Sequence, residues 1–493
     1  MKIQFIFAPP QVSPKFGELG KKISPPLGIL YLAAYLRSRR PDLEISVFDG
    51  VRYGYHATWK AIKQFGPDIL GISYYTPTAL SALILADRVK AESPETLVLL
   101  GGPHATALPE EGIERSRADV VVIGEGEETV RELVEAYEKS RGRIGEIPFE
   151  QIDGIAFRRN EMVQKTEVRK FIVDIDSIPF PARDLVKMED YRGFYISKNW
   201  PQTNMIMSRG CPLECTFCSN LVWRLSTPRV RLRSPQNIAE EIEHLIKDFG
   251  MKEVFDNADE FNANPYRAKA ICEEIKKRRL KITWKTQLRA SPLPEELVKS
   301  MAKSGCWYVH LGIESGNPET LKGIRKNITL DQVIKACRLL KKYDIKIHGL
   351  FMLFNVWEEE GQLRFEDVPM TRNTLNFAQR LADQRLLDYF GWSITTPYPG
   401  SPLYETASKF GLIQPRLINH WDAWLSETSF VMKLPGVSEI EQAHLKTIGS
   451  KLRTRCMFRS KGIELRDFGY FLRKLLKLGQ NEIKGRIAKW RKG

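Results

Sequence analysis

Three of the chain's seven cysteines, Cys211, Cys215 and Cys218, fall within eight residues, and no other feature constrains the fold as much. They follow an apolar run, Met205-Ile206-Met207, and a Ser208-Arg209-Gly210 turn, so a strand is expected to end in a glycine bend that opens into a thiol-rich loop. Clustered thiolates select an iron–sulfur cluster, zinc or cuprous copper. A closed structural zinc site takes four ligands, usually in paired C-x-x-C units. The nearest histidines are His104 and His244, the latter inside a helical pattern, so no fourth ligand lies close in sequence. A [4Fe–4S] cluster on three cysteines leaves one iron open, the condition for chemistry rather than electron storage. Zinc, or a purely structural cluster, is the rival reading. Cys272, Cys306, Cys337 and Cys456 lie far apart in apolar or helical patterns and read as buried thiols.

Residues 1–145 alternate short apolar runs (3–7, 44–48, 69–73, 97–100, 120–123) with helical patterns (27–39, 56–65, 79–91, 110–117, 127–139). Such alternation predicts a doubly wound parallel sheet covered on both faces, with ligands at the carboxyl ends of its strands. The loops expected there are 71–77, with Ser73, Tyr74 and Tyr75, then Gly101-Gly102-Pro103-His104, then Gly124-Glu125-Gly126-Glu127. Glycines at such ends admit a ligand close to the backbone, or simply make tight turns. No G-x-G-x-x-G follows the first run, which argues against a nicotinamide site. Residues 146–200 read as a structural connector with a small hairpin at 154–163 and a proline-punctuated linker at 178–183.

From 201 to 415 a second alternation places six strands near 205–207, 253–256, 282–285, 308–312, 346–352 and 390–394. The expected fold is a partial (β/α)6 barrel of the TIM type, whose chemistry sits at the carboxyl ends of its strands. Polar residues collect at those ends: Asp256-Asn257-Ala258-Asp259-Glu260, Gln287 with Arg289, and Gly312-Ile313-Glu314-Ser315-Gly316. Helix caps and ion pairs are the structural alternatives for Asp256 and Glu314. His310 and His348, within apolar strands, read as satisfied core residues.

The C-x-x-x-C-x-x-C spacing, with Phe217 just before the third cysteine, resembles the radical S-adenosylmethionine superfamily. The segment 201–415, including the loop 396–403, is similar to that family's barrel. The resemblance implies a [4Fe–4S] cluster on the three cysteines whose open iron chelates S-adenosylmethionine and splits it reductively into a 5′-deoxyadenosyl radical. It assigns Asp256 and Asp259 to the methionyl amine, Gln287 and Arg289 to the carboxylate or substrate, and Glu314 to the adenosyl portion. Residues 25–33, Ser73, Gly101-Gly102 and 123–127 resemble the cobalamin-binding domain that precedes the barrel in one branch of the family. The cobalt-ligating D-x-H-x-x-G is missing; Asp49-Gly50-Val51 is the nearest segment, and Tyr74 and Tyr75 are the candidates to cover the lower face of the corrin. The expected reaction is C-methylation of an unactivated carbon, with ring contraction, cyclisation or oxidation as alternatives. Radical chemistry without cobalamin, and an iron–sulfur carrier or redox sensor, are the other readings. One departure is the long polar stretch from Leu353 to Thr371, where relatives have a short glycine–proline loop and a glutamate.

The net charge of +15 favours acidic partners, which could be nucleic acid, an anionic membrane or phosphate-bearing substrates. The family resemblance implies a reductant such as a ferredoxin or flavodoxin. Zinc-finger spacing, an aromatic RNA-binding signature and an arginine-rich arm are all absent from the sequence, so nucleic acid is disfavoured. Residues 461–493 carry ten Lys or Arg against three acids, with apolar residues at helical spacing from Phe468 to Trp490. Such a helical tail either lies on an anionic membrane, which favours a lipid-like rather than another small-molecule substrate, or packs on the barrel. With no secretory signal and no membrane-length apolar run, the expected location is cytoplasmic, with membrane-peripheral contact through the tail.

Overall fold

The computed structural model describes residues 1–10, 24–191 and 196–460. Its first five strands are β1 (Lys2–Phe7), β2 (Glu44–Asp49), β3 (Ile69–Ser73), β4 (Leu97–Gly101) and β5 (Val120–Val122). They pair in parallel in the order β2-β1-β3-β4-β5. Alternate side chains enter two separate cores. Phe5, Leu97, Leu99 and Val120 meet helices Leu27–Arg39 and Glu127–Lys139, whereas Ile6, Leu70, Ile72 and Val98 meet helices Tyr55–Phe65 and Ala79–Glu92. Burial on both faces is why these strands read as nearly continuous apolar runs. The chain leaves β1 and β3 in opposite directions, which opens a crevice at their carboxyl ends.

The hairpin expected at 154–163 forms as β6 (Ile155–Arg159) and β7 (Met162–Lys165), but it does not stand apart. Strand β6 pairs antiparallel with β5, so the first sheet has seven strands and continues past residue 145 into the connector. The helix expected at 110–117 is replaced by two short ones, Pro103–Ala107 and Pro109–Glu114. They break at Leu108, whose φ of −134° and ψ of 65° reflect the clash between a proline ring and a helical preceding residue.

The second unit begins with β8 (Gln202–Met205) and a two-stranded ribbon, β9 (Ser208–Arg209) with β10 (Arg231–Leu232), which brackets the cysteine loop. Strands β11 (Glu253–Asp256), β12 (Thr283–Arg289), β13 (Cys306–Glu314) and β14 (Lys346–Leu353) follow, then a hairpin of β15 (Val356–Glu359) and β16 (Gln362–Phe365), and finally β17 (Tyr389–Ile394). The parallel sheet runs β8-β11-β12-β13-β14-β17 in sequential order, as an open half-barrel. The first strand starts three residues earlier than expected, because Gln202, Thr203 and Asn204 are buried polar residues that hydropathy does not flag. Outward residues such as Val254, Trp284, Leu311 and Ile347 join the helical core. On β12 the residues of the other parity, Thr283, Lys285, Gln287 and Arg289, are all polar, and His310 and His348 join them from β13 and β14. At the base, Lys285 Nζ lies 2.9 Å from Glu253 Oε1, both side chains fully buried. Above it, His348 Nδ1 and Tyr308 Oη are 2.5 Å apart, and the His310 and His348 rings, both buried, lie 5.0 Å apart.

Trp421 and Trp424 return to the first domain's core, and helix Glu439–Ser460 packs on β17 and helix Val368–Asp383. The basic tail at 461–493 lies outside the described residues.

Candidate active site

The cysteine loop is held at its root and along its length. Gly210 has φ +91°, and a Cβ there would stand 1.9 Å from Arg229 O, so only glycine fits where the loop leaves β9. Thr216 N–H donates to Ile324 O at 3.0 Å, and Leu403 N–H donates to Thr216 O at 2.9 Å. Ser219 Oγ donates to Pro399 O at 2.6 Å. The loop is thus gripped between the turn after β13 and the loop after β17. Cys215 is buried, while Cys211 and Cys218 are partly exposed. Burial pushes the thiols up, Cys211 to about 11 and Cys218 to about 12, so loading the loop with iron releases protons. Among the described residues no three His, Cys, Asp or Glu converge on a single-ion site.

Charged side chains ring the thiols. Arg289, 6% exposed at the end of β12, uses Nη2 to reach Asn327 O at 2.9 Å and also Lys326 O. Its Nη1 is buried without a hydrogen-bond partner among the described residues. A buried, unsatisfied guanidinium N–H beside a thiol loop fits a carboxylate ligand. Glu314 follows a bulge in β13 and adopts φ +68°, a conformation costing about 1–3 kcal/mol in a non-glycine residue and typical of functional sites. Its Oε1 accepts from Lys326 Nζ at 2.8 Å. Behind it, buried Glu366 accepts from Asn317 Nδ2 at 2.9 Å, from Ser315 Oγ at 2.5 Å and from Asn355 Nδ2 at 3.0 Å, locking the turn that carries Glu314. Phe217 packs at the edge of the core with Lys326 5.9 Å from its ring.

Not every expected residue is where the spacing put it. Asp256 is fully buried and accepts from Met207 N–H at 3.1 Å, Ala258 N–H at 3.0 Å and Thr286 Oγ1 at 3.0 Å, so it is a structural brace rather than an amine ligand. Asp259 shapes the loop instead: its carboxylate faces Gly210 N–H and the Trp223 indole, and burial lifts it to about 6. Glu260, not singled out in the sequence, has Oε2 4.0 Å from Cys211 Sγ. Gln287 lies one step below Arg289 on the inner face of β12, opposite His310. Lys326 was also missed, because a lysine in a polar turn carries no signal of its own.

In the first domain, Tyr75 is 52% exposed at the crevice between β1 and β3, its ring edge-on to Phe7 at 5.1 Å. Tyr74 is buried in the core, 5.7 Å from the His104 ring, and cannot cover a ligand, because consecutive residues at a strand end point to opposite sides. Ser73 and Gly101-Gly102 meet at the same rim: Gly102 has φ +99°, and a Cβ would come 2.9 Å from Ser73 Oγ and 2.7 Å from Tyr74 O. His104 is engaged at both nitrogens, with Thr76 Oγ1 at 3.0 Å and Glu111 Oε2 at 2.9 Å, so it offers no free metal ligand. Gly124 faces Leu225 of the cysteine loop, and Gly126 starts helix Glu127–Lys139 against Leu32. Glu125 does not face the crevice; it forms ion pairs with Arg209 and Arg231, which correct its expected role in holding a cofactor. The rim of the first sheet also abuts the cysteine loop through helix Pro103–Ala107 and the segment Leu221–Arg224.

The model of the radical S-adenosylmethionine superfamily matches residues 205–363, and that of the B12 binding domain matches residues 20–134. A protein of Pyrococcus horikoshii described as an uncharacterized methyltransferase is 34% identical over 412 residues, covering 83% of this chain and 83% of the relative. The anaerobic magnesium-protoporphyrin IX monomethyl ester cyclase of Rubrivivax gelatinosus is 30% identical over 414 residues, covering 80% of this chain and 69% of that enzyme. Among solved structures, the cobalamin-dependent S-adenosylmethionine radical enzyme OxsB with aqua-cobalamin bound superposes with a TM-score of 0.70 at 20% identity, over 97% of this chain and 71% of that one, a likeness of fold. With a thiol loop at the mouth of a half-barrel and a doubly wound domain against it, this chain belongs to the cobalamin-binding family of radical S-adenosylmethionine enzymes.

Proposed function

We propose that the protein methylates an unactivated carbon of a small molecule. The observation that carries this reading is the abutment of the cysteine loop on the crevice rim of the doubly wound domain, which brings two cofactor sites to one border. When bound, the cluster and S-adenosylmethionine supply a radical that takes hydrogen from carbon, and cobalamin supplies the methyl group. Cys211, Cys215 and Cys218 hold the cluster. When S-adenosylmethionine is bound, Arg289 Nη1–H would donate to the methionyl carboxylate and Glu260 would face the methionyl ammonium. Glu314, fixed by Lys326 and the Glu366 network, orients the adenosyl portion. Tyr75, backed edge-on by Phe7, would offer an aromatic surface to the corrin, with Ser73 and the Gly101-Gly102 rim admitting it closely. Arg289 and Glu314 are buried, so their contacts to a bound cofactor would form away from bulk water.

The net charge of +15 suits an acidic electron donor such as a ferredoxin or flavodoxin. The basic tail, outside the described residues, favours a lipid-like substrate presented at a membrane surface. The test is anaerobic incubation of the loaded enzyme with S-adenosylmethionine labelled in its methyl group. Label is expected on the corrinoid, then in a product once substrate is supplied. The kinship with a cyclase supports a second reading, radical cyclisation or oxidation. If 5′-deoxyadenosine forms while label never reaches the corrinoid, the second reading replaces the first.

A further inference from the structure

The turn after β5 was expected to hold a cofactor, yet its two carboxylates reach away from the crevice and into the root of the cysteine loop. Glu125 grips Arg231 with both oxygens, at 2.7 Å each, and lies 3.1 Å from Arg209. Glu127 accepts from Arg209 Nη2 at 2.6 Å. All four side chains are at most 11% exposed. Arg209 and Arg231 are direct cross-strand partners in the ribbon that closes the loop, and Arg209 is separated from Cys211 only by Gly210. Two arginines paired this way repel each other. Their charge is balanced here by carboxylates from the other domain. Aromatic faces complete the seat: Tyr31 lies 5.2 Å from Arg209, and Phe171 lies 4.1 Å from Arg231.

We propose that Glu125 and Glu127 are positioning residues, a clamp through which the cobalamin domain fixes the root of the cysteine loop and hence the separation of cluster and corrinoid. The inference rests on the reading of both cofactor sites given above. Removing one carboxylate leaves a buried arginine uncompensated beside a like charge, and the ribbon shifts to relieve it. A shift of ~1 Å between reacting groups costs about a hundredfold in rate.

The experiment uses full-length enzyme loaded anaerobically with cluster and cobalamin. Pulsed dipolar EPR measures the distance between the reduced cluster and cob(II)alamin in wild type, Glu125→Gln, Glu127→Gln and Glu125→Asp. Glu132→Gln, which removes an ion pair to Arg169 from the same helix without touching the loop, is the comparison. The clamp predicts a shifted or broadened distance in both Gln variants, partial recovery in Glu125→Asp, and a wild-type distance in Glu132→Gln, with iron, corrinoid and melting temperature retained. Unchanged distances in the loaded Gln variants overturn it, as does a joint loss of iron, corrinoid and melting temperature, which marks a merely structural pair. If wild type binds no cluster or no corrinoid, the cofactor reading itself fails, a separate outcome.

Discussion

Arg289 shows how much one orphaned N–H can say. Two of its neighbours are backbone carbonyls on Nη2, while Nη1 has no partner among the described residues. A lysine in its place keeps the charge but loses the planar fork. Arg289→Lys is therefore expected to weaken S-adenosylmethionine binding about tenfold, measured by equilibrium dialysis, while the iron content stays at the wild-type level. Glu366 acts on Glu314 from behind. Glu366→Gln replaces a charged acceptor of several hydrogen bonds and is expected to lower stability by about 1–3 kcal/mol, read from the denaturant midpoint. The three cysteines, Arg289 and Glu314 could be singled out because motif spacing and position at a strand end are local facts, and the structure brings them to one end of the half-barrel. Tyr74 and Tyr75 were not separable, because which of two consecutive residues enters the core depends on the last turn of the strand. Asp256 was ambiguous for a related reason: of its three donors only Ala258 is local, whereas Met207 and Thr286 come from other strands and leave no trace in its own neighbourhood.

The strands of both sheets were readable as elements, since apolar runs separated by amphipathic helices admit few other folds. The β6–β7 hairpin was read correctly as a hairpin but not as sheet, because its partner β5 is fixed by tertiary pairing. The long polar stretch after β14 turns out to be a second hairpin, β15–β16, with left-handed Glu360 and Gly361 at its tip. It inserts Trp357 against the turn that grips the cysteine loop: a Cβ on Gly323 would stand 2.3 Å from Trp357 Nε1. Gly323→Ala is thus expected to displace this turn, costing about 1–3 kcal/mol as overpacking does. Since Ile324 O holds Thr216, iron loading should fall with it, whereas Gly361→Ala, at the far tip of the hairpin, should leave iron loading unchanged.

At the scale of the molecule, the half-barrel interior is polar and buried, and this ties stability to pH. Burial, with Lys285 nearby, pushes His310 down to about 3, and burial, with His310 and Arg453, pushes His348 well below the usual imidazole range of 6.5. Tyr308, Tyr389 and Phe255 also pack against the pair. Above the unfolded value both states are neutral at these positions. Below it the unfolded chain takes up protons that the folded protein refuses, so stability should fall as the pH drops below 6.5, the His310 contribution continuing down to about 3. His348→Gln should flatten that slope in denaturant titrations. The central claim, that the cysteine loop loads a cluster that cleaves S-adenosylmethionine beside a bound corrinoid, is tested most directly by anaerobic reconstitution with iron, sulfide and cobalamin, then a reductant. The account predicts 5′-deoxyadenosine from wild type, none from Cys215→Ala, and corrinoid retained in both. A loaded cluster that leaves S-adenosylmethionine intact under every reducing condition would contradict it.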